Sequence, residues 1–341
     1  MKILIVGSNA VWAIENYYSK YLKLSGDETS IFNCSDYYNP RLLLNRILYR
    51  LRIRILYRRV NAGLLHVCEM QRPDIVWIFK GVEIFATTLK QLKTKGIILV
   101  NYNPDHPFIR TTLSHGGIEI EKAISLYDAH FCYSEDLKHR LESEFHLKAY
   151  MLPFGYEPTA VHLKEGIESK DVLKVCMIGY ADRTRAELIT TLLQEGIPVD
   201  VYGTHWHRFL QPSALCNIYP SVYGDQYWQT LLDYRVQLNV FRPHNEGSHN
   251  MRTFEIPSVG GIQLAPYSHE QAKFFEEDKE IWLYQTPKDM VQKAKKLLEM
   301  TSADISAFRL AARDKCIKED YTYRHRSSQV HEAFNQLMIN N

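Results

Sequence analysis

His249, Asn250, Arg252 and Glu255 fall within NEGSHNMRTFEIPSVGG, residues 245–261. Their side chains suit a phosphorylated, hydroxyl-rich ligand. The spacing predicts a helix that starts near Met251 and stops at Gly260 and Gly261. A helix start presents unpaired N–H groups and the positive end of the peptide dipole, so it favours an anion. Arg252 adds full charge, and Thr253 shares its turn. Glu255 stands three positions on, on the same helical face. Its carboxylate is able to accept two hydroxyl hydrogen bonds, as a ribose diol requires. The competing reading is an Arg252–Glu255 surface pair on an ordinary capped helix.

A second candidate is GYADRTR, residues 179–185. Gly179 closes an apolar run and lets a ligand approach the backbone. Arg183 and Arg185 begin the next helix, with Asp182 as its cap. Two such elements at strand ends point to a nucleoside diphosphate. Asp105 and His106, in NYNPDHPF, stand just past another strand end. Either is able to take a proton from a hydroxyl, although Asn-Pro-Asp is also an ordinary turn. Gly7, Ser8 and Asn9 follow the first strand, on the expected acceptor side. They do not form G-x-G-x-x-G, which disfavours a nicotinamide dehydrogenase. The chain has no D-x-D pair to hold a cation against a diphosphate. Arginines are expected in that role, with no metal and no cofactor.

The elements that must position these residues follow from short apolar runs. KILIVG, PDIVWIFKG, GIILVNYN and DAHFCYS read as strands buried on both faces, alternating with amphipathic helices. The alternation pauses at YMLPFGYEPTAVHLKEGIESKD and resumes with LKVCMIGYA, PVDVYG, VQLNVF and GIQLAP. Two α/β domains are expected: residues 1–155, with a C-terminal helix near 319–341 packing back on them, and residues 170–318. Ligands in such sheets bind outside the carboxyl ends of the strands.

The 341 residues suffice for two cores. A net charge of +2 gives no general pull toward nucleic acid. Six scattered cysteines without a C-x-x-C pair suit a reducing compartment, and a cytoplasmic location is expected. The charge is uneven, however: Arg41–Arg59 holds seven arginines and no acid. Arg46, Arg50, Arg54 and Arg58 recur at every fourth position, while Leu44, Leu48, Leu51 and Ile55 recur at helical spacing. A basic amphipathic helix of this kind implies peripheral contact with an anionic membrane.

The segments VQLNVFRPHNEGSHNMRTFEIPSVGGIQLAP, KVCMIGYADRTRAELITTLLQEGIPVDVYG and EIWLYQTPKDMVQKAKKLLE resemble the spore-maturation CgeB-like glycosyltransferases of the GT-B superfamily. YTYRHRSSQV resembles their C-terminal helix, and NYNPDHPF and YMLPFGYEP resemble first-domain segments. The resemblance implies two Rossmann-like domains facing across a cleft, with a nucleotide sugar on the second. It implies a glycan, lipid-linked or protein acceptor. In the retaining GT-B pattern a glutamate followed five residues later by glycine contacts ribose, as Glu255 and Gly260 would. An earlier glutamate of that pattern falls on Gly247, one step from Glu246. By the same analogy Tyr202, Gly203, Val222 and Tyr223 surround the base. The competing functions are a nucleotide-sugar 2-epimerase of the same fold and a non-catalytic nucleotide-sugar or anionic-surface binding protein.

Overall fold

The computed structural model describes residues 1–38, 42–43, 45, 47, 54–108, 118–160, 169–242 and 247–340. The chain divides into two compact units, each an α/β layer structure around a six-stranded parallel sheet.

The first unit comprises Met1–Pro153 and Tyr323–Asn341 among its segments. Its strands are β1 (Lys2–Gly7), β2 (Glu28–Asn33), β3 (Ile75–Phe79), β4 (Ile98–Tyr102), β5 (Ala129–Cys132) and β6 (Ala149–Met151), in the order β2-β1-β3-β4-β5-β6. All five residues of β3, IVWIF, are buried. That is the burial expected of a central parallel strand with both faces covered. The Tyr323–Ile339 helix packs on this sheet. Tyr323 stacks on Tyr17 at 5.2 Å between ring centroids, and Phe334 meets Trp77 edge-on at 5.4 Å. Such aromatic pairs each contribute roughly 0.5–1.5 kcal/mol beyond their buried area. His331 Nδ1 lies 2.7 Å from the Asp27 carboxylate, adding a polar tether.

The second unit includes Phe154–Arg242 and continues from the following loop to Thr322. Its strands are β7 (Val172–Ile178), β8 (Val199–Tyr202), β9 (Cys216–Tyr219), β10 (Tyr234–Leu238), β11 (Gln263–Pro266) and β12 (Trp282–Tyr284), in the order β12-β11-β10-β7-β8-β9. In each sheet the strand order reverses beside the unit's first strand: β1 lies between β2 and β3, and β7 between β8 and β10. At such a switch point the connections leave in opposite directions, so the carboxyl ends of β1 and β3, or of β7 and β10, bound a crevice.

The arginine segment is described only in part. Arg41, Arg46, Arg50 and Arg52, with Leu44, Leu48 and Leu51, lie outside the described residues. The helix Arg54–Gln71 turns Leu56, Tyr57, Val60, Leu64 and Cys68 to the interior. Ile55, which the helical spacing grouped with the leucines, is instead 62% exposed, one position off that buried stripe. Arg58 and Arg59 are exposed.

Candidate functional site

Gly179 follows the last residue of β7, and the helix Arg183–Gln194 begins shortly after it. The Asp182 side chain caps that helix by accepting the Arg185 N–H at 2.9 Å. Arg185 therefore begins its course beside β7. It is buried, and its guanidinium donates to the carbonyls of Tyr180 (2.9 Å) and Val240 (3.0 Å), the latter just past β10. A methyl group built on Gly179 would lie 3.7 Å from Arg185 Nη1 and 3.9 Å from Arg252 Nη2. Two guanidinium groups thus converge at the β7–β10 switch point. Burial first, then the charges of Arg252 and Arg242, push the Arg185 pKa down to about 10. Arg185 stays protonated at neutral pH, but it is held against like charge. The buried Nε atoms of Arg185 and Arg252 have no hydrogen-bond partner among the described residues. The Arg185 Nε lies 3.5 Å from the carboxylate of Asp182, the residue that caps its helix.

Arg183 stands apart. It is exposed and lines a shallow hollow with Ala186, Glu187, Thr190, Thr191 and Phe209. Positions two apart on a helix face different ways, so only one arginine of RTR joins Arg252.

The Arg252–Ser258 helix is seven residues long and does not offer the open N-terminus expected of it. The N–H of Thr253 donates to Asn250 O at 3.1 Å, and those of Phe254 and Glu255 donate to Met251 O at 3.0 Å. Thr253 is fully buried, and the Asn250 N–H donates back to its Oγ1 at 3.3 Å. Asn250 and Asn239 exchange amide hydrogen bonds of 3.0 and 2.8 Å, which tie the helix start to the end of β10. Positive charge comes here from side chains, not from the helix end. His249 is also not free to meet a ligand. It is fully buried, its Nδ1 lies 2.9 Å from Glu270 Oε2, and its Nε2 accepts the Phe154 N–H at 3.3 Å. Ser248 donates to the same Glu270 oxygen. Glu246 lies outside the described residues.

Glu255 is buried, and Tyr227 Oη donates to its Oε2 at 2.6 Å. Burial raises the Glu255 pKa from its ordinary 4.5, while the Arg252 charge and the Tyr227 hydroxyl oppose the rise. No ion-pair contact with Arg252 is formed, so the surface-pair alternative does not hold. Tyr227 was not legible as a partner, because nothing in the sequence marks which residue of a distant helix meets Glu255.

The residues read as surrounding a base separate into two groups. Gly203, with φ of 145°, is a packing glycine: a Cβ there would sit 2.0 Å from Gly179 O. The Trp206 indole N–H donates to that same carbonyl at 3.0 Å. Tyr202 stacks on Tyr219 at 4.7 Å and bonds the Tyr234 hydroxyl at 2.9 Å. Val222 is buried in a cluster with Cys176, Ile178, Leu231, Tyr234 and Ile256. These three hold the sheet end together. Tyr223, at 61% exposure, is the member with a ring surface open to solvent.

In the first unit, Gly7 and Ser8 border a cavity of about 330 Å³ at the carboxyl ends of β1, β2 and β3. Asn9 is exposed and does not line it. Glu15, Lys80 and Glu83 also line it, and sequence patterns alone did not single them out. Asp105 Oδ2 lies 2.6 Å from Lys80 Nζ. His106 is buried, its Nδ1 accepts the Phe108 N–H at 3.3 Å, and its Nε2 lies 3.6 Å from Asp136. Asp105 and His106 are thus engaged with their own turn, with Lys80 just past β3 and with Asp136 on the helix Glu135–Ser143.

No group of three or more metal-ligating side chains occurs among the described residues. Nor is any described helix long and apolar enough to cross a membrane.

Residues 183–332 match a protein-family model described as glycosyl transferase-like. No curated protein matches the sequence. Among solved structures, a sucrose-phosphate synthase from Thermosynechococcus elongatus aligns over 100% of both chains, with 8% identity and a TM-score of 0.74. The E. coli trehalose-6-phosphate structure bound with UDP-2-fluoro glucose aligns over 98% of this chain and 99% of its own, at 12% identity and a TM-score of 0.67. A putative UDP-N-acetylglucosamine 2-epimerase from Listeria monocytogenes aligns over 100% and 97%, at 12% identity and a TM-score of 0.62. The chain has the two-sheet GT-B fold, and its second half carries a glycosyl transferase-like region.

Proposed function

We propose that the protein is a glycosyltransferase that moves a sugar from a nucleoside-diphosphate sugar to an acceptor hydroxyl without a metal ion, of the CgeB-like type that its second-half segments resemble. The observation that carries the reading is the convergence of Arg185 and Arg252 on Gly179. Two guanidinium groups, with Arg242 nearby, supply the charge that a departing diphosphate needs. Held in place before the reaction, they stabilise the leaving group without reorganisation. Glu255 then takes the ribose hydroxyls, and Tyr223 offers a ring for the base.

Calorimetric titration with UDP, GDP, dTDP and CMP tests the donor site. Binding of at least one diphosphate is expected, and turnover with the matching sugar nucleotide should persist in EDTA. Loss of turnover in EDTA with recovery on added magnesium or manganese would refute the metal-free mechanism. The epimerase among the structural relatives favours a second reading, epimerisation of the donor. Release of an epimerised sugar nucleotide with no acceptor present distinguishes it from transfer.

A further inference from the structure

The first unit's cavity has a chemistry of its own. It is lined by Gly7, Ser8, Glu15, Asn33, Ser35 and Glu83, among others, at the switch point between β1 and β3. Its volume of about 330 Å³ lies within the roughly 300–1,000 Å³ typical of small-molecule sites. Glu15 is more than nine-tenths buried, yet it borders this space. Its Oε1 accepts the Ser8 N–H at 2.9 Å, and its second oxygen has no side-chain partner among the described residues. Gly7 is what admits it: a Cβ at that position would sit 2.5 Å from Glu15 Oε1. Glu83 contributes a second carboxylate, hydrogen-bonded with Tyr38. Lys80 is the one cationic lining residue described, and its ammonium lies 2.6 Å from Asp105.

We propose that this cavity holds an uncharged polyhydroxy acceptor, gripped through a hydroxyl by Glu15, and that its carboxylates exclude phosphorylated sugars. The assignment rests on the transferase reading above and names the acceptor class. Carboxylates accept hydroxyl hydrogen bonds strongly, whereas a phosphate dianion beside two of them meets like charge at short range. Discrimination of this kind comes from repulsion as much as from attraction. Burial raises the Glu15 pKa, with the Lys80 charge among the opposing influences, so the carboxyl gains from a hydroxyl donor. The turn between Ser8 and Glu15 carries Val11 and Trp12, 86% and 64% exposed.

The test uses the full chain and saturation-transfer NMR, with and without saturating nucleoside diphosphate. Probes are glucose, mannose, galactose and N-acetylglucosamine, each beside its phosphate monoester. At least one uncharged sugar is expected to bind, with its phosphate ester at least tenfold weaker. Glu15→Gln should weaken sugar binding at least fivefold while leaving nucleotide affinity unchanged. Glu83→Gln should narrow the gap between a sugar and its phosphate. If Glu15→Gln does not fold, Ser35→Tyr fills the cavity and should abolish sugar binding. A phosphate ester that binds as well as its parent, or no sugar binding by wild type, overturns the proposal. Nucleotide titration of the same samples keeps the two readings separate. Absent nucleotide binding counts against the donor site, whereas intact nucleotide binding without sugar discrimination counts against the acceptor class alone.

Discussion

The two switch points share one topology and carry opposite charge. In the first unit Gly7 ends the strand, and the next helix brings Glu15 to within 2.5 Å of where a Cβ would be. In the second unit Gly179 follows the strand, and the next helix brings Arg185 to 3.7 Å from the corresponding point. Each glycine leaves room beside the strand end, and a charged residue near the start of the following helix lies against it. Glu83 reinforces the negative site, and Arg252 with Arg242 the positive one. In each unit the parallel sheet supplies the switch point, and one helical position places a charged side chain beside its glycine.

The largest expected effect tests the positive site. Arg252→Gln should weaken nucleoside-diphosphate binding about 30–100-fold, the scale of roughly 2–3 kcal/mol for charge-assisted hydrogen bonds. Arg183→Gln should change it less than about twofold, within the small range of surface substitutions. Calorimetry on the two variants decides: equal losses would erase the distinction between the converging arginine and the exposed one.

Gly203→Ala asks whether the β8 end matters through packing. Its Cβ would collide with Gly179 O at 2.0 Å, so a backbone shift is required. Overpacking of this kind costs about 1–3 kcal/mol, read as a lower denaturation midpoint. An unchanged midpoint would return Gly203 to the candidates for ligand approach. A smaller effect is expected of Glu255→Gln. It should reduce affinity about tenfold, or roughly 1.4 kcal/mol, by replacing a charged acceptor with a neutral one. Wild-type affinity in this variant would remove the ribose role.

The alternation of buried runs made the four inner strands of each sheet legible, because a central parallel strand is apolar on both faces, as IVWIF is, whereas the edge strands β2, β6, β9 and β12 were not read. Local caps were legible too: Asp182 caps its helix through a contact three residues away. The site was legible only where its members are close in sequence. Arg252 and Glu255 share one short helix. Arg183 and Arg185 could not be ranked, because the helix phase relative to β10 decides which one points inward. His249 looked available for a ligand because its partners, Phe154 and Glu270, are remote in sequence. Glu15 was missed for the same reason: its importance comes from Gly7 and a cavity that three separate strands close.

Tyr227→Phe should have the smallest effect at neutral pH and the most specific one in acid. Burial raises the Glu255 pKa, and the Tyr227 hydroxyl is one of two groups pulling it down. Removing that hydroxyl withdraws a hydrogen bond from the charged form, so the pKa rises further. A ribose diol needs the carboxylate as acceptor. Affinity is therefore full above the raised pKa and falls as pH drops through it. In Tyr227→Phe the fall should begin at higher pH, with a loss under about threefold well above it, the scale of one neutral hydrogen bond. In Glu255→Gln the fall should vanish. Stability runs the other way. A folded carboxyl that binds its proton more tightly than the unfolded one contributes most below the ordinary 4.5. That contribution is lost as pH rises through the folded value. Tyr227→Phe should enlarge the loss, and Glu255→Gln should abolish it. Calorimetric titrations and denaturant melts across pH 4–8 check both signs (roughly the interval in which a raised carboxyl titrates). An acid limb at the same pH in wild type and Tyr227→Phe would mean that Glu255 does not govern nucleotide binding through its charge.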